Sequence, residues 1–201
     1  NDTIKRAIDK GSGNSQSSNF EEITYEGYGA GGVAVFIEAA TDNRNRTAGD
    51  IRSYFTKFGG NLGENGCVGW IFEPFGLIAI DKPKEVSKRD KEISKQFDFD
   101  TLFEDSIAFD PVDVYQDEDE NDYRIKTTPE NLENTANGLE KLGYSIKSAD
   151  LTRIPSNSCQ ITDSAIAKKI VLLLEKLDEH DDIQNVYSNF EADDELLDSL
   201  D

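Results

Sequence analysis

The sequence predicts an α+β protein of two ferredoxin-like α/β sandwich domains, preceded by the remnant of a helical N-terminal domain. Three observations carry this. Two blocks of the chain show short β-branched strands alternating with helices whose apolar residues recur at helical spacing. A long helix near the C-terminus carries more apolar surface than it can bury alone and needs a sheet to cover. The length of 201 residues suits one large domain or two small ones, and 36% hydrophobic content with 11 Phe, 7 Tyr and one Trp is a globular composition.

In order along the chain, Asp2 to Lys10 places Ile4, Ala7 and Ile8 on one helical face, with Asp2 as cap and Gly11 as stop. A helix with two large apolar residues does not support itself, so it reads as the last helix of a preceding domain. A start at Asn1 and the absence of any Met point the same way, to a chain whose true start lies upstream. Residues 11–19, GSGNSQSSN, read as a flexible linker. Phe20–Tyr25 is a short strand. Val33–Ala39, apolar on both faces, suits a central strand. Thr47 with Asp50 imitates a capping box, and Ile51, Tyr54, Phe55 and Phe58 form the stripe of an amphipathic helix that Gly59-Gly60 stops. Gly69–Glu73 and Leu77–Asp81, flanking Pro74-Phe75-Gly76, read as a β-hairpin.

Lys82–Lys95 is charged and solvated, as linker or helix. Phe99, Leu102, Phe103 and Ile107 define a second amphipathic helix. Val112–Gln116 and Tyr123–Thr127 are strands joined by the acidic loop Asp117–Asp122. Thr128-Pro129-Glu130 opens a helix with Leu132, Ala136 and Leu139 inward, and Gly143 closes it. Ser145–Arg153 is a strand, broken at Ile154–Asn157. Asp163 caps the long helix striped by Ile166, Ile170, Leu173, Leu174 and Leu177. A last strand, Asn185–Phe190, precedes a fraying acidic tail. The final helix and strand complete a β-α-β-β-α-β plan for the first block. The resulting division is 1–19, remnant helix and linker; 20–84 with 154–201, a discontinuous ferredoxin-like domain; and 85–153, an inserted acidic one. Two consecutive domains are the alternative.

The net charge is −20, from 21 basic and 41 acidic residues. It is unevenly spread: residues 1–84 are near neutral, and 85–201 hold most of the excess acid. Phosphate contacts must therefore come from the first part. No apolar run is long enough to span a bilayer, which predicts no membrane partner. The two cysteines, Cys67 and Cys159, lack the spacing of a zinc site or a disulfide framework and read as ordinary buried thiols.

Gly27, Gly29 and Gly32 spell G-x-G-x-x-G, but a strand follows them where a nucleotide cradle needs a helix, so they read as a tight connection between strands. The loop Asp117–Asp122 lacks the glycine and glutamate of an EF-hand. His180 reads as a surface histidine at a helix end, and no nucleophile–base or metal motif accompanies it. The expectation is a non-enzyme with no cofactor, no metal and no small-molecule substrate. Arg44 and Arg46, at the entry of the Thr47 helix, are placed to hold an anion, and Arg52 and Lys57 continue basic character along its exposed face. The competing reading pairs both arginines with Asp42, Asp50 or Glu38 to fix the loop.

The segments DTIKRAIDKGSG (2–13), EEITYEGYGAGGVAVFIEAATDNRNRT (21–47), FGGNLGENGCVGWIFEPFGLI (58–78) and IQNVYSNF (183–190) together resemble the YebC/PmpR family, which includes the mitochondrial translational activator of cytochrome c oxidase subunit I. The resemblance implies a basic helical domain followed by two ferredoxin-like domains. It further implies a DNA-binding transcriptional regulator of the bacterial cytoplasm, or, for the organellar branch, a matrix protein acting in translation. A ribosome-associated factor binding ribosomal or messenger RNA is the alternative, and an acidic protein-interaction scaffold the second. Asn43, Arg44, Asn45, Arg46, Thr47 and the Gly59–Gly63 loop with Asn61 match the family's characteristic segments. With Arg52 and Lys57 they form the expected nucleic-acid contact set.

Overall fold

The computed structural model describes residues 20–82, 98–118 and 121–198. The expected helix over 2–10, the linker 11–19 and nearly all of the charged segment 82–95 lie outside the described residues, as do 119–120 in the acidic loop and 199–201. In chain order the elements are β1 (Glu21–Tyr28), β2 (Ala34–Thr41), α1 (Arg44–Lys57), β3 (Asn61–Leu62), β4 (Phe72–Asp81), α2 (Phe99–Ile107), β5 (Asp113–Asp117), β6 (Asp122–Thr127), α3 (Leu132–Leu142), β7 (Ile146–Pro155), β8 (Cys159–Gln160), α4 (Ser164–Asp178), β9 (Ile183–Ser188), β10 (Phe190–Glu191) and α5 (Asp194–Asp198). The class is α+β, with two four-stranded antiparallel sheets ordered β3-β1-β2-β9 and β5-β6-β4-β7. Two compact units divide the chain. One takes 155–198 together with 20–73, and the other is built from residues 74–154. No helix among the described residues is long and apolar enough to cross a membrane.

In the first unit, β1 and β2 form a hairpin in register from Glu21↔Thr41 to Tyr28↔Ala34. The glycine motif is its connection: Gly29 N–H donates to Val33 O at 2.8 Å, and Gly31 and Gly32 take positive φ values of 70° and 81° that disfavour larger residues. Helices α1 and α4 cover one face of this sheet, burying Tyr25, Ile37, Ile51, Phe55, Ile170 and Leu173. Ala34 and Phe36 on the other face of β2 meet Val68, Ile71 and Phe72. Burial on both faces explains why β2 is continuously apolar from Ala34 to Ile37. The edge strand β3 pairs only with Gly27 and Tyr28. On that side Glu21–Tyr25 therefore has no ladder partner among the described residues. β8 and β10 form a separate two-stranded parallel ribbon.

The second unit has the order β4-α2-β5-β6-α3-β7, the split β-α-β plan. Its core gathers Ile78, Ile80, Leu102, Val114, Ile125 and Leu139. One sequence expectation changes here. Residues 72–81 are a single strand paired with β6 from Gly76↔Thr127 to Asp81↔Asp122, not half of a hairpin around Pro74-Phe75-Gly76. Pro74, which lacks an N–H, lies before this ladder begins. Gly76 serves close packing: a Cβ there would collide with Thr127 and Leu132. The strand assigned to the first domain thus belongs to the second sheet. Elsewhere some ends shift: β1 runs to Tyr28 rather than Tyr25, β7 continues to Pro155 through the expected break at Ile154, and β9 covers Ile183–Ser188 rather than Asn185–Phe190. The Asp163 cap of α4 and the left-handed Gly143 that closes α3 are as the sequence predicts. The strands on either side of the acidic loop pair as far as Asp117↔Asp122, and Asp122, almost wholly buried, meets Arg124 at 2.7 Å and Lys147 at 3.2 Å.

Phe55 is fully buried against β1, and its ring lies where a Cβ on Gly27 would sit. Replacing it with Ala is expected to cost about 3–5 kcal/mol. Urea unfolding followed by the fluorescence of Trp70, which reports the first unit, should show an early transition.

Candidate nucleic-acid interface

The expected contact set falls on α1 and the turn that follows it. The helix begins four residues earlier than the capping-box reading placed it, with the N-cap at Asn43 rather than Thr47. Asn43 Oδ1 accepts from Arg46 N–H at 3.1 Å, and Arg44 and Arg46 lie in the first turn. Thr47 is not a cap because its hydroxyl is drawn inward: Oγ1 lies 2.7 Å from Asp182 Oδ2 and 2.8 Å from Thr41 Oγ1. Thr41 in turn accepts from Asn43 N–H at 2.9 Å.

The buried carboxylate of Asp182 organises this end of the helix. It receives Thr47, stands 3.2 Å from Thr41 Oγ1, and takes the Arg46 guanidinium at 2.8 Å, while its carbonyl accepts from Ala40 N–H at 2.8 Å. Burial by itself would raise its pKa, but the hydrogen bonds from Arg46 and Thr47 and the Arg46 charge prevail and hold it below the ordinary carboxylate value. Arg46 also meets Asp42 at 3.0 Å, so its fork is committed to two carboxylates although its side chain is 49% exposed. His180 is not a surface residue as expected. Its side chain is 11% exposed, Nδ1 accepts from Asp182 N–H at 3.1 Å, and the ring meets Tyr54 edge-on at 6.1 Å. The free thiols Cys67 and Cys159 are half-buried, and burial pushes the Cys67 thiol up.

Arg44 differs from Arg46. Its contact with Glu21 is long, 3.7 Å, between side chains 63% and 60% exposed, a solvent-screened pair that holds it weakly. Its backbone is fixed, because Tyr25 Oη donates to Arg44 O at 3.3 Å. Arg44 opens on a groove of about 610 Å³ along the edge of β1, lined also by Thr24, Asn43, Asn45, Asn65 and the acidic Glu21 and Asp42. Side-chain amides, a guanidinium and the first-turn amides of a helix together suit a phosphate with neighbouring polar groups.

The structure thus brings Asn43, Arg44, Asn45, Arg46 and Thr47 to one end of α1 and spreads the rest along it. Arg52, exposed, sits about 12 Å further on, and Lys57, exposed and 5.2 Å over the Phe58 ring, about 20 Å away. Asn61, exposed on β3 and paired through its backbone with Tyr28, belongs to that far end. Sequence reasoning missed Asp182 and Asn65, and also Lys169 of α4, whose Nζ lies 4.0 Å from where a Gly59 Cβ would be. Asp182 and Lys169 carry no local signal because the pairing spans more than a hundred residues. Among the described residues no group of three or more His, Cys, Asp or Glu could hold a metal ion.

Comparison with known proteins places the chain and its fold. Residues 20–190 match the family model described as the second and third domain of TACO1/YebC. A protein of Persephonella marina named "Probable transcriptional regulatory protein" is 43% identical over 199 residues, covering 99% of this chain and 74% of that protein. One of the same name from Methylacidiphilum infernorum is 45% identical over 196 residues, covering 98% and 73%. The crystal structure of a conserved hypothetical protein from Aquifex aeolicus superposes with a TM-score of 0.75 at 43% identity, covering 96% of this chain and 74% of that one.

Replacing Asp182 with Asn is expected to lower stability at neutral pH by about 1.5–3 kcal/mol, the worth of hydrogen bonds to a charged group. A carboxylate depressed in the folded state stabilises above its unfolded pKa, so the gap between the two proteins should close as pH falls below about 4. Denaturation midpoints at pH 7, 5 and 3 check this. A gap unchanged at pH 3 would contradict the ion-pair account.

Proposed function

The chain belongs to the TACO1/YebC family, and we propose that it is a regulator of gene expression that works by binding nucleic acid rather than by catalysis. One observation carries the reading. Every basic residue between positions 20 and 73 lies on α1, and of the four only Arg46 is tied to a buried carboxylate. Arg44, Arg52 and Lys57 are exposed along one helix, with Lys168 and Lys169 exposed on the neighbouring α4. On a molecule of net charge −20, the cations of the first unit's described residues gather on the helices that cover one face of its sheet, which favours the approach of a polyanion there. The name shared by the relatives, transcriptional regulatory protein, agrees with this and makes promoter DNA the first target to assay. Non-catalytic action is supported by the use of the one histidine, whose Nδ1 is spent on a backbone amide.

A second reading, a ribosome-associated translation factor bound to RNA, is favoured by two exposed aromatic rings, Trp70 and Tyr28, in the same unit. Aromatic faces in solvent serve unpaired bases better than a closed duplex.

The test is binding of the intact protein to duplex DNA and to RNA across a salt series. Arg44→Ala and Arg52→Ala are each expected to flatten the slope of log affinity against log salt by about one unit, for either polymer. Arg46→Ala should leave the slope nearly unchanged and lower the melting temperature instead. An unaltered slope in both the Arg44 and Arg52 variants would overturn the reading.

A further inference from the structure

We propose that Trp70 and Tyr28 form a stacking platform for unpaired bases of single-stranded RNA whose sugar–phosphate chain is held at the Arg44 groove; the inference rests on the nucleic-acid reading above and names its ligand. Trp70 is 67% exposed and Tyr28 40%. Neither ring is loose. The Tyr28 hydroxyl and the Trp70 indole N–H donate to the same acceptor, Cys67 O, at 3.0 and 3.2 Å. Both polar handles are satisfied within the protein, which leaves the rings aimed outward with little freedom to lose on binding.

The segment that carries Trp70 is equally fixed. The carboxylate of Glu26, 5% exposed, accepts from the backbone N–H groups of Gly66 at 2.7 Å, Val68 at 2.8 Å and Gly69 at 2.6 Å. Val68 and Ile71 on either side of Gly69-Trp70 are buried beneath the sheet. A buried acid, three converging amides and two apolar anchors are a costly way to display one tryptophan in water. Display of a rigid aromatic surface is the use that explains them.

The platform continues the groove. Thr24, Glu26 and Tyr28 alternate onto one face of β1, and Thr24 and Asn65 line the Arg44 groove. Thr24 to Tyr28 spans about 13 Å of strand, a distance that a few nucleotides of extended chain cover. Ring faces stack on bases only when these are out of a duplex. RNA is favoured over DNA by the groove's acceptors: Glu21 and Asp42 repel phosphate but accept a hydrogen bond from a ribose 2′-hydroxyl.

Trp70 is the chain's one tryptophan, so its fluorescence reads the platform directly. The intact protein is titrated with oligouridylate, with the deoxy oligomer of equal length and with duplex RNA. Saturable quenching is expected with oligouridylate, weaker binding by several fold with the DNA, and no quenching with the duplex. By anisotropy of labelled oligouridylate, Trp70→Ala should bind about tenfold more weakly and Trp70→Phe recover most of the loss, with both variants melting like the parent. Unchanged oligouridylate affinity in Trp70→Ala, alongside an Arg44→Ala variant that still flattens the salt slope, overturns the platform and leaves the broader reading standing. Equal affinity for the DNA oligomer overturns the choice of RNA. A fluorescence response to a protein but to none of the oligomers overturns the ligand class. Failure to bind any nucleic acid removes both readings together.

Discussion

A buried carboxylate just before β9 decides how helix α1 meets its sheet. Asp182 has to be satisfied because an ionised group in that position is costly without partners. It is satisfied by Arg46 and Thr47 from the first turn of α1 and by Thr41 from the end of β2. The end of β2 and the adjoining first turn of α1 are thereby tied to a residue more than a hundred positions away, and the rotation of α1 about its axis is set. With Arg46 and Thr47 turned inward to the acid, Arg44 and Asn45 can only face the groove. The exposed cation is a consequence of the buried pair.

Two arginines one residue apart therefore serve different ends. Arg46 works as a structural counterion, with its own solvent exposure a poor guide to its availability. Arg44 has a weak, screened partner and a pinned backbone. The acidity of the whole molecule sharpens the distinction. In the second unit a buried acid, Asp122, likewise absorbs Arg124 and Lys147, and the surplus negative charge limits where a polyanion can approach.

Much of this architecture is legible in the sequence. The apolar stripes of α1 and α4, the doubly buried β2, the Asp163 cap and the Gly143 stop are local patterns, and local patterns report local structure. Pro74-Phe75-Gly76 misled because Pro-Phe-Gly is turn chemistry by composition, while its glycine answers a packing demand from Thr127 and Leu132 that only the folded chain imposes. The start of α1 was missed for a related reason. Asn43 and Thr47 are both good caps in isolation, and the choice between them is made by an acid more than a hundred positions away. His180 read as a surface residue because its sequence neighbours are acidic, yet Tyr54 and the Asp182 amide enclose it. In the candidate site the identity of the cations was legible. Which of them is spent internally was not.

The short reach of β3 has a further effect. By pairing only Gly27 and Tyr28 it leaves the first five residues of β1 without a ladder partner on that side among the described residues, the kind of border along which identical molecules zip together into aggregates. Glu21 and Glu22 open that border, and the Arg44 side chain arches beside it. Two copies meeting there would press acid against acid and bury a guanidinium. The charged fringe that lines the groove thus opposes edge-to-edge pairing of two copies.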